Sequence, residues 1–178
     1  MTRRAATYLL MIVFACMAMI MSSARPVNDG NEYKVKAMFI YNFIRHVQWP
    51  DGDRSKMVRI GVLGESEIFD ELNAIAAIRH NDHRKFYVDK ITEEQISQYD
   101  IVFIPANKTV RFEKSGQFTC KGVLVISESD GERLRKGVVI NLLKTDGKIR
   151  FELYMSAAKA NGIQISENLL KLATKIHK

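Results

Sequence analysis

The feature that most constrains this chain is a set of short apolar runs without alternation. They are Met57–Leu63 (MVRIGVL), residues 100–105 (DIVFIP) and residues 122–127 (GVLVIS). A strand with one wet face alternates polar and apolar residues. A continuous apolar run needs cover on both faces, as in a parallel sheet between helical layers. Helical patterns fall between the runs. Residues 67–78 carry Ile68, Leu72, Ile75 and Ala76 at core spacing behind an N-cap at Ser66. A short strand is expected at Phe86-Tyr87-Val88, a brief helix capped by Thr92 running to Gln98, and further helices over residues 109–118 and 128–135. Near the C-terminus, residues 138–144 and 148–154 flank Thr145-Asp146-Gly147, whose Asp-Gly pair signals a hairpin. One helical turn follows at residues 156–160, broken by Asn161-Gly162. Ser166 then caps a last amphipathic helix carrying Leu169, Leu170, Leu172, Ala173 and Ile176. The pattern predicts an α/β fold: a single three-layer domain with a mainly parallel sheet flanked by helices and a C-terminal β-hairpin.

Ahead of the sheet, residues 32–49 read as a helix stopped by Pro50-Asp51-Gly52. Tyr33, Ala37, Ile40, Phe43, Ile44 and Val47 form one stripe at helical spacing, while Val35, Met38, Phe39 and Tyr41 add apolar surface outside it. A helix apolar on more than one side is covered on more than one side, either by its own chain or by a dimer or partner contact.

The first residues read as an address. Arg3 and Arg4 precede an unbroken apolar run of 14 residues, 8–21, closed by Ser22-Ser23-Ala24. That is the layout of a secretory signal peptide cleaved after Ala24, followed by a polar leader at 25–31. The run is shorter than the roughly 17–25 residues of a membrane span, with an uncleaved anchor as the alternative. Cys16 would make a lipoprotein site, but bulky Phe14 stands where a small residue belongs. Export changes the charge argument. The full chain has 27 Lys+Arg against 20 Asp+Glu; losing Arg3 and Arg4 leaves 25 against 20, net +5. The basic residues Lys34, Lys36, Arg45, Arg54, Lys56 and Arg59 are dispersed and have no interleaved aromatics to stack bases, so nucleic acid is not an expected partner. Cys120 is left alone in the exported chain, without an intrachain disulfide partner.

Catalytic signatures fail one by one. Residues 61–66 end a strand and open a helix, but the G-x-G-x-x-G spacing is lacking, and Glu65, Glu67, Asp70 and Glu71 would repel a phosphate. There is no Walker sequence, G-x-S-x-G elbow or H-E-x-x-H. His80, Asp82 and His83 could contribute to a metal site and a metal-assisted hydrolase, yet no further ligand has matching spacing, and a solvated loop explains them as well. His46 beside Arg45 at a helix end complements the dipole. No catalytic residue, metal or cofactor is expected.

The order of motifs resembles the YfiR-like family. Residues 33–43 (YKVKAMFIYNF), followed by Val47-Gln48-Trp49-Pro50, are similar to its opening helix. The similarity continues through residues 60–64, 100–105, 123–127, 139–142, 148–153 and 165–173, covering essentially residues 32–175. It departs at Lys136-Gly137-Val138-Val139-Ile140, which keeps one glycine of a usual pair, at Tyr154 in place of asparagine, and in having no cysteine pair. The resemblance implies a periplasmic regulator, not an enzyme. Such a protein binds and represses the periplasmic sensor region of an inner-membrane diguanylate cyclase and is relieved by an outer-membrane lipoprotein. It thereby sets cyclic di-GMP and biofilm formation. A homodimer is a further candidate assembly.

In such a protein the site is a surface. Asn141, Arg150 and Glu152 match the family's hairpin motif, and strand alternation puts Arg150 and Glu152 on one face, opposite Ile149, Phe151 and Leu153. A cross-strand ion pair or a solvated sheet edge is the more common role for such residues. Tyr41 and Trp49 are the aromatic candidates for partner contact, with core packing as the competing role. The alternative function is a periplasmic small-molecule sensor, with a pocket at the carboxyl edge of the parallel sheet.

Overall fold

A computed structural model describes residues 29–50, 57–79, 85–108, 120–129 and 137–178. The expected signal segment, His80, Asp82, His83, the helix expected at 109–118 and residues 130–135 of the helix expected at 128–135 lie outside the described residues. Residues 31–178 form one compact unit.

In chain order the elements are α1 (Asp29–His46), β1 (Val47–Gln48), β2 (Met57–Leu63), α2 (Ile68–Ile78), β3 (Lys85–Ile91), a 3-10 helix (Glu93–Gln98), β4 (Ile101–Ile104), β5 (Leu124–Glu128), β6 (Ile140–Thr145), β7 (Lys148–Tyr154), α3 (Met155–Asn161), β8 (Gln164–Ile165), α4 (Glu167–Leu172) and β9 (Lys175–His177). Seven strands form one sheet in the order β3-β2-β4-β5-β6-β7-β9, and β1 pairs with β8 separately. The first five strands of the large sheet are parallel. β6 and β7 are antiparallel, and β9 returns parallel to β7. The fold is α/β with a mainly parallel sheet, as the apolar runs required.

Those runs are mostly apolar because their strands serve two cores. On β4, Ile101 and Phe103 join the larger cluster, while Val102 and Ile104 join the smaller one. On β5, Leu124 and Ile126 face the first and Val125 the second. The larger cluster takes Ala37, Ile40, Phe43 and Ile44 from α1, Ile68, Leu72 and Ile75 from α2, Ala158 from α3 and Leu169 from α4. The smaller takes Ile96 from the 3-10 helix. Phe151 of β7 meets Phe43 edge-on, with ring centroids 5.2 Å apart, tying the hairpin to α1. The β6–β7 turn is Asp146-Gly147, both with positive φ (50° and 71°), which matches the twist of the flanking strands.

Several boundaries differ from the sequence expectations: among them, Glu128, expected to open a helix, closes β5, and Val47 and Gln48, expected in the first helix, form β1 and pair with β8. α1 starts at Asp29, inside the expected polar leader. α2 starts at Ile68 with Glu67 as N-cap; Ser66 Oγ still accepts from the Ile68 N–H at 3.5 Å. The strand at Phe86 extends from Lys85 to Ile91, because all seven residues find parallel partners on β2. The last helix keeps its Ser166 cap, whose side chain accepts from the Leu169 N–H, but it stops at Leu172. Ile176 lies on β9, paired with Leu153 of β7.

Candidate functional site

The parallel order β3-β2-β4-β5-β6 leaves one place where neighbouring loops diverge. β2 leads to β3 on one side, and the chain then crosses β2 to lay β4 on its other side. Crevices of open α/β sheets form at such a switch point, outside the carboxyl ends of the strands. A cavity of about 520 Å³ lies there, within the size range of small-molecule sites. The segment after β2 supplies Glu65, Ser66 and Glu67, with Asp70 from the first turn of α2. Pro105, Ala106 and Asn107 follow β4, Lys90 comes from β3, Tyr33 from α1, and Glu128 closes β5.

Glu128 is 5% exposed and Lys36 of α1 is 6% exposed, so both charges are withdrawn from water. They satisfy one another. Lys36 Nζ lies 2.5 Å from Glu128 Oε2 and 2.6 Å from Glu32 Oε1, while Lys144 Nζ on β6 lies 2.8 Å from Glu32 Oε2. Glu128 Oε1 accepts from the Ala106 backbone N–H at 3.0 Å and from the Tyr33 hydroxyl at 3.4 Å. Lys36 Nζ also stands 4.8 Å from the Tyr33 ring centroid. The network joins α1, β5, β6 and the segment after β4, and of its members Tyr33, Ala106 and Glu128 line the cavity. Burial works against the Lys36 ammonium, but its hydrogen bonds to Glu128 and Glu32 outweigh that and hold its pKa above the ordinary lysine value. Burial likewise opposes the Glu32 carboxylate, and Lys144 and Lys36 overcome it, leaving Glu32 below its ordinary value. Burial pushes the Tyr33 hydroxyl up, and the Glu128 and Glu67 charges add to the effect against the opposing charge of Lys36.

The candidates from the hairpin divide. Asn141 is 4% exposed. Its Oδ1 accepts from the Ser127 hydroxyl at 2.9 Å and its Nδ2 donates to the Ser129 carbonyl at 3.2 Å, so it ties β6 to the end of β5. Trp49 and Tyr41 are buried in the larger cluster; Trp49 Nε1 donates to the Asp100 carbonyl at 3.2 Å. Arg150 is exposed, and Glu152 is partly exposed on the same face of β7, as alternation predicts. Glu152 finds a cross-strand partner on β9, not in Arg150, which lies on its own strand. Its Oε2 lies 2.9 Å from His177 Nε2 of β9 and accepts from the Tyr154 hydroxyl at 3.1 Å. The Tyr154 and His177 rings stack at 4.4 Å.

Sequence reading missed Lys36 and Glu128 as a pair. The only local signal is a lysine directly beside the buried Ala37, with Glu32 one turn before it. Around the cavity, Glu128 and Glu65 are paired with lysines, while Glu67 and Asp70 are exposed. Among the described residues, no group of three His, Cys, Asp or Glu side chains could hold a metal ion. No helix among them is long and apolar enough to cross a membrane.

The fold is that of an α/β domain with a crevice at the switch point of its parallel sheet. The YfiR/HmsC-like family model matches residues 33–174, and the chain belongs to that family. The family is one of periplasmic regulators in diguanylate cyclase signalling, regulatory rather than catalytic. No curated protein matches the chain in sequence. Among solved structures, a conserved domain protein from Vibrio cholerae O1 biovar El Tor is similar at 14% identity and a TM-score of 0.49. The similarity covers 81% of this chain and 60% of that one.

Proposed function

We propose that this protein is exported, cleaved after Ala24, and represses an inner-membrane diguanylate cyclase by binding its periplasmic sensor region. The observation that carries this reading is the family match over residues 33–174. Repression is a coupling free energy: the regulator binds the inactive arrangement of the cyclase's periplasmic half more tightly than the active one. An outer-membrane lipoprotein relieves it by withdrawing the regulator, and cyclic di-GMP and biofilm formation follow. Homodimerisation would present two such faces at once. In this reading Arg150 and Glu152 touch the partner, while Asn141, Tyr41 and Trp49 set the strands and helix that present them.

The test is binding of the chain from residue 25 onward to the isolated periplasmic region of the host's membrane-anchored cyclases. One of them should bind, and an Arg150→Ala/Glu152→Ala variant of unchanged helical signal should bind at least about tenfold more weakly. Failure to bind any of them would remove the reading. A second reading, a small-molecule sensor serving another signalling protein, is favoured by the switch-point cavity.

A further inference from the structure

The large sheet ends in β3 on one side and β9 on the other, and the two edges are built differently. β9 has three residues, and so short an edge offers little to a further strand. β3 has seven, in unbroken register with β2 and without proline or bulge. The Ile91 carbonyl accepts from the Gly64 N–H at 3.0 Å, so Ile91 turns its backbone polar groups toward β2. In a parallel pair that role falls to every second residue. Lys85, Tyr87 and Asp89 share it with Ile91. Phe86, Val88 and Lys90 turn their N–H and C=O groups outward, where these have no hydrogen-bond partner among the described residues.

The side chains along this edge select its partner. Lys85, Tyr87 and Asp89 lie on one face and are all exposed. Tyr87 is 58% exposed, and Met57, the β2 partner of Lys85, is 39% exposed on the same face. Among the described residues Lys85 forms no ion pair, and the Asp89 carboxylate accepts from the Tyr99 hydroxyl at 3.2 Å without meeting a cation. A second β3 laid antiparallel, with the two-fold axis at Tyr87, sets Lys85 opposite the second copy's Asp89 and Tyr87 opposite its own equivalent. Phe86 and Val88 then face the second copy's Val88 and Phe86, and their outward groups exchange both backbone bonds. The charged pairs and the tyrosine pair fall at the non-hydrogen-bonded positions, where side chains approach most closely. An axis at Val88 would set Lys85 against Ile91 and Asp89 against Tyr87. An axis at Phe86 would set Lys85 against Tyr87 and Asp89 against no residue of the strand. Charge therefore fixes the register.

We propose that β3 is the interface between two copies of this chain, paired antiparallel about Tyr87 so that their sheets run into one. This rests on the homodimer reading given above and names its surface. Any strand can use the outward N–H and C=O groups; meeting Lys85 and Asp89 with opposite charges in the same register is a property of the strand's own copy. β3 lies at the opposite edge of the sheet from β7 and β9, so the pairing leaves Arg150 and Glu152 open on both copies.

The experiment is sedimentation equilibrium of the chain from residue 25 onward at about 1–100 μM, with the helical signal of each variant checked against wild type. The wild type should be dimeric in this range. Lys85→Asp and Asp89→Lys each set like charges opposite one another on both sides of the axis and should weaken the dimer at least about tenfold. The swapped variant Lys85→Asp/Asp89→Lys restores opposite charges and should recover most of that loss, which a general disturbance of β3 would not allow. Tyr87→Glu, at an exposed position, sets two carboxylates together at the axis and should give a monomer. A dimer that none of these substitutions weakens, or a swapped variant as weak as the singles, would overturn the proposal and leave the homodimer reading standing. A monomeric wild type would overturn both. None of these outcomes touches the cyclase reading.

Discussion

Replacing Lys36 by methionine isolates the electrostatic part of the buried network. Methionine keeps most of the side-chain stem and so most of the packing, but it leaves Glu128, 5% exposed, without its cation. Breaking a buried pair by removing one partner costs about 3–5 kcal/mol. Glu128 keeps its bonds from the Ala106 N–H and the Tyr33 hydroxyl, which places the loss near the lower end, about 3 kcal/mol. For a chain of this size that is a fall of about 6–12 °C in melting temperature. The double variant Lys36→Met/Glu128→Gln removes the stranded charge and retains an oxygen for the Ala106 N–H. It should therefore recover about 2 kcal/mol of the loss. Urea denaturation at pH 7 measures both quantities. A Lys36→Met loss under about 1 kcal/mol, or a double variant no more stable than the single, would refute the reasoning.

Three further outcomes are expected. At Gly61 an added Cβ would lie 2.5 Å from Ile91 Cδ1 and 3.1 Å from Tyr99 Cγ, so Gly61→Ala should cost about 1–3 kcal/mol in chemical denaturation. Asn141→Ala leaves the Ser127 hydroxyl without its buried acceptor and should cost about 1–3 kcal/mol, read the same way. Burial pushes the Cys120 thiol up, so its alkylation by iodoacetamide at pH 7.5 should be several-fold slower than that of a free cysteine peptide.

The sequence was most legible where burial is two-sided. Residues 57–63, 101–104 and 124–127 are apolar at every position but a few because two cores claim alternate side chains, and that demand is visible without coordinates. Local chemistry carried the Asp146-Gly147 turn and the Ser166 cap for the same reason: a positive φ and an orphan N–H are satisfied within a few residues. The last helix was misjudged because Leu169, Leu172, Ala173 and Ile176 have helical spacing and no glycine or proline interrupts them. Strand pairing outweighed that periodicity. Thr174 N–H donates to the Phe151 carbonyl at 2.9 Å, Ile176 pairs with Leu153, and Leu172 is left mostly exposed. The cavity's ion network was illegible for a related reason: Lys36 and Glu128 are 92 residues apart, and nothing local at either position announces the other. The same limit applied to Asn141, a polar strand residue that could have been surface and is instead tied to Ser127 and Ser129. Tyr41 and Trp49 illustrate the reverse ambiguity, since the aromatic types that mark contact surfaces are also those that fill cores.

As proposed above, this member of the YfiR/HmsC-like family is exported and restrains cyclic di-GMP synthesis from outside the inner membrane. The most direct measurement is cellular cyclic di-GMP in the host with the gene deleted, then restored either whole or without residues 1–24. The level should rise on deletion, return with the whole chain, and stay high with the form that is never exported. An unchanged level in a host carrying an intact membrane cyclase, or full restoration by the unexported form, would contradict that proposal.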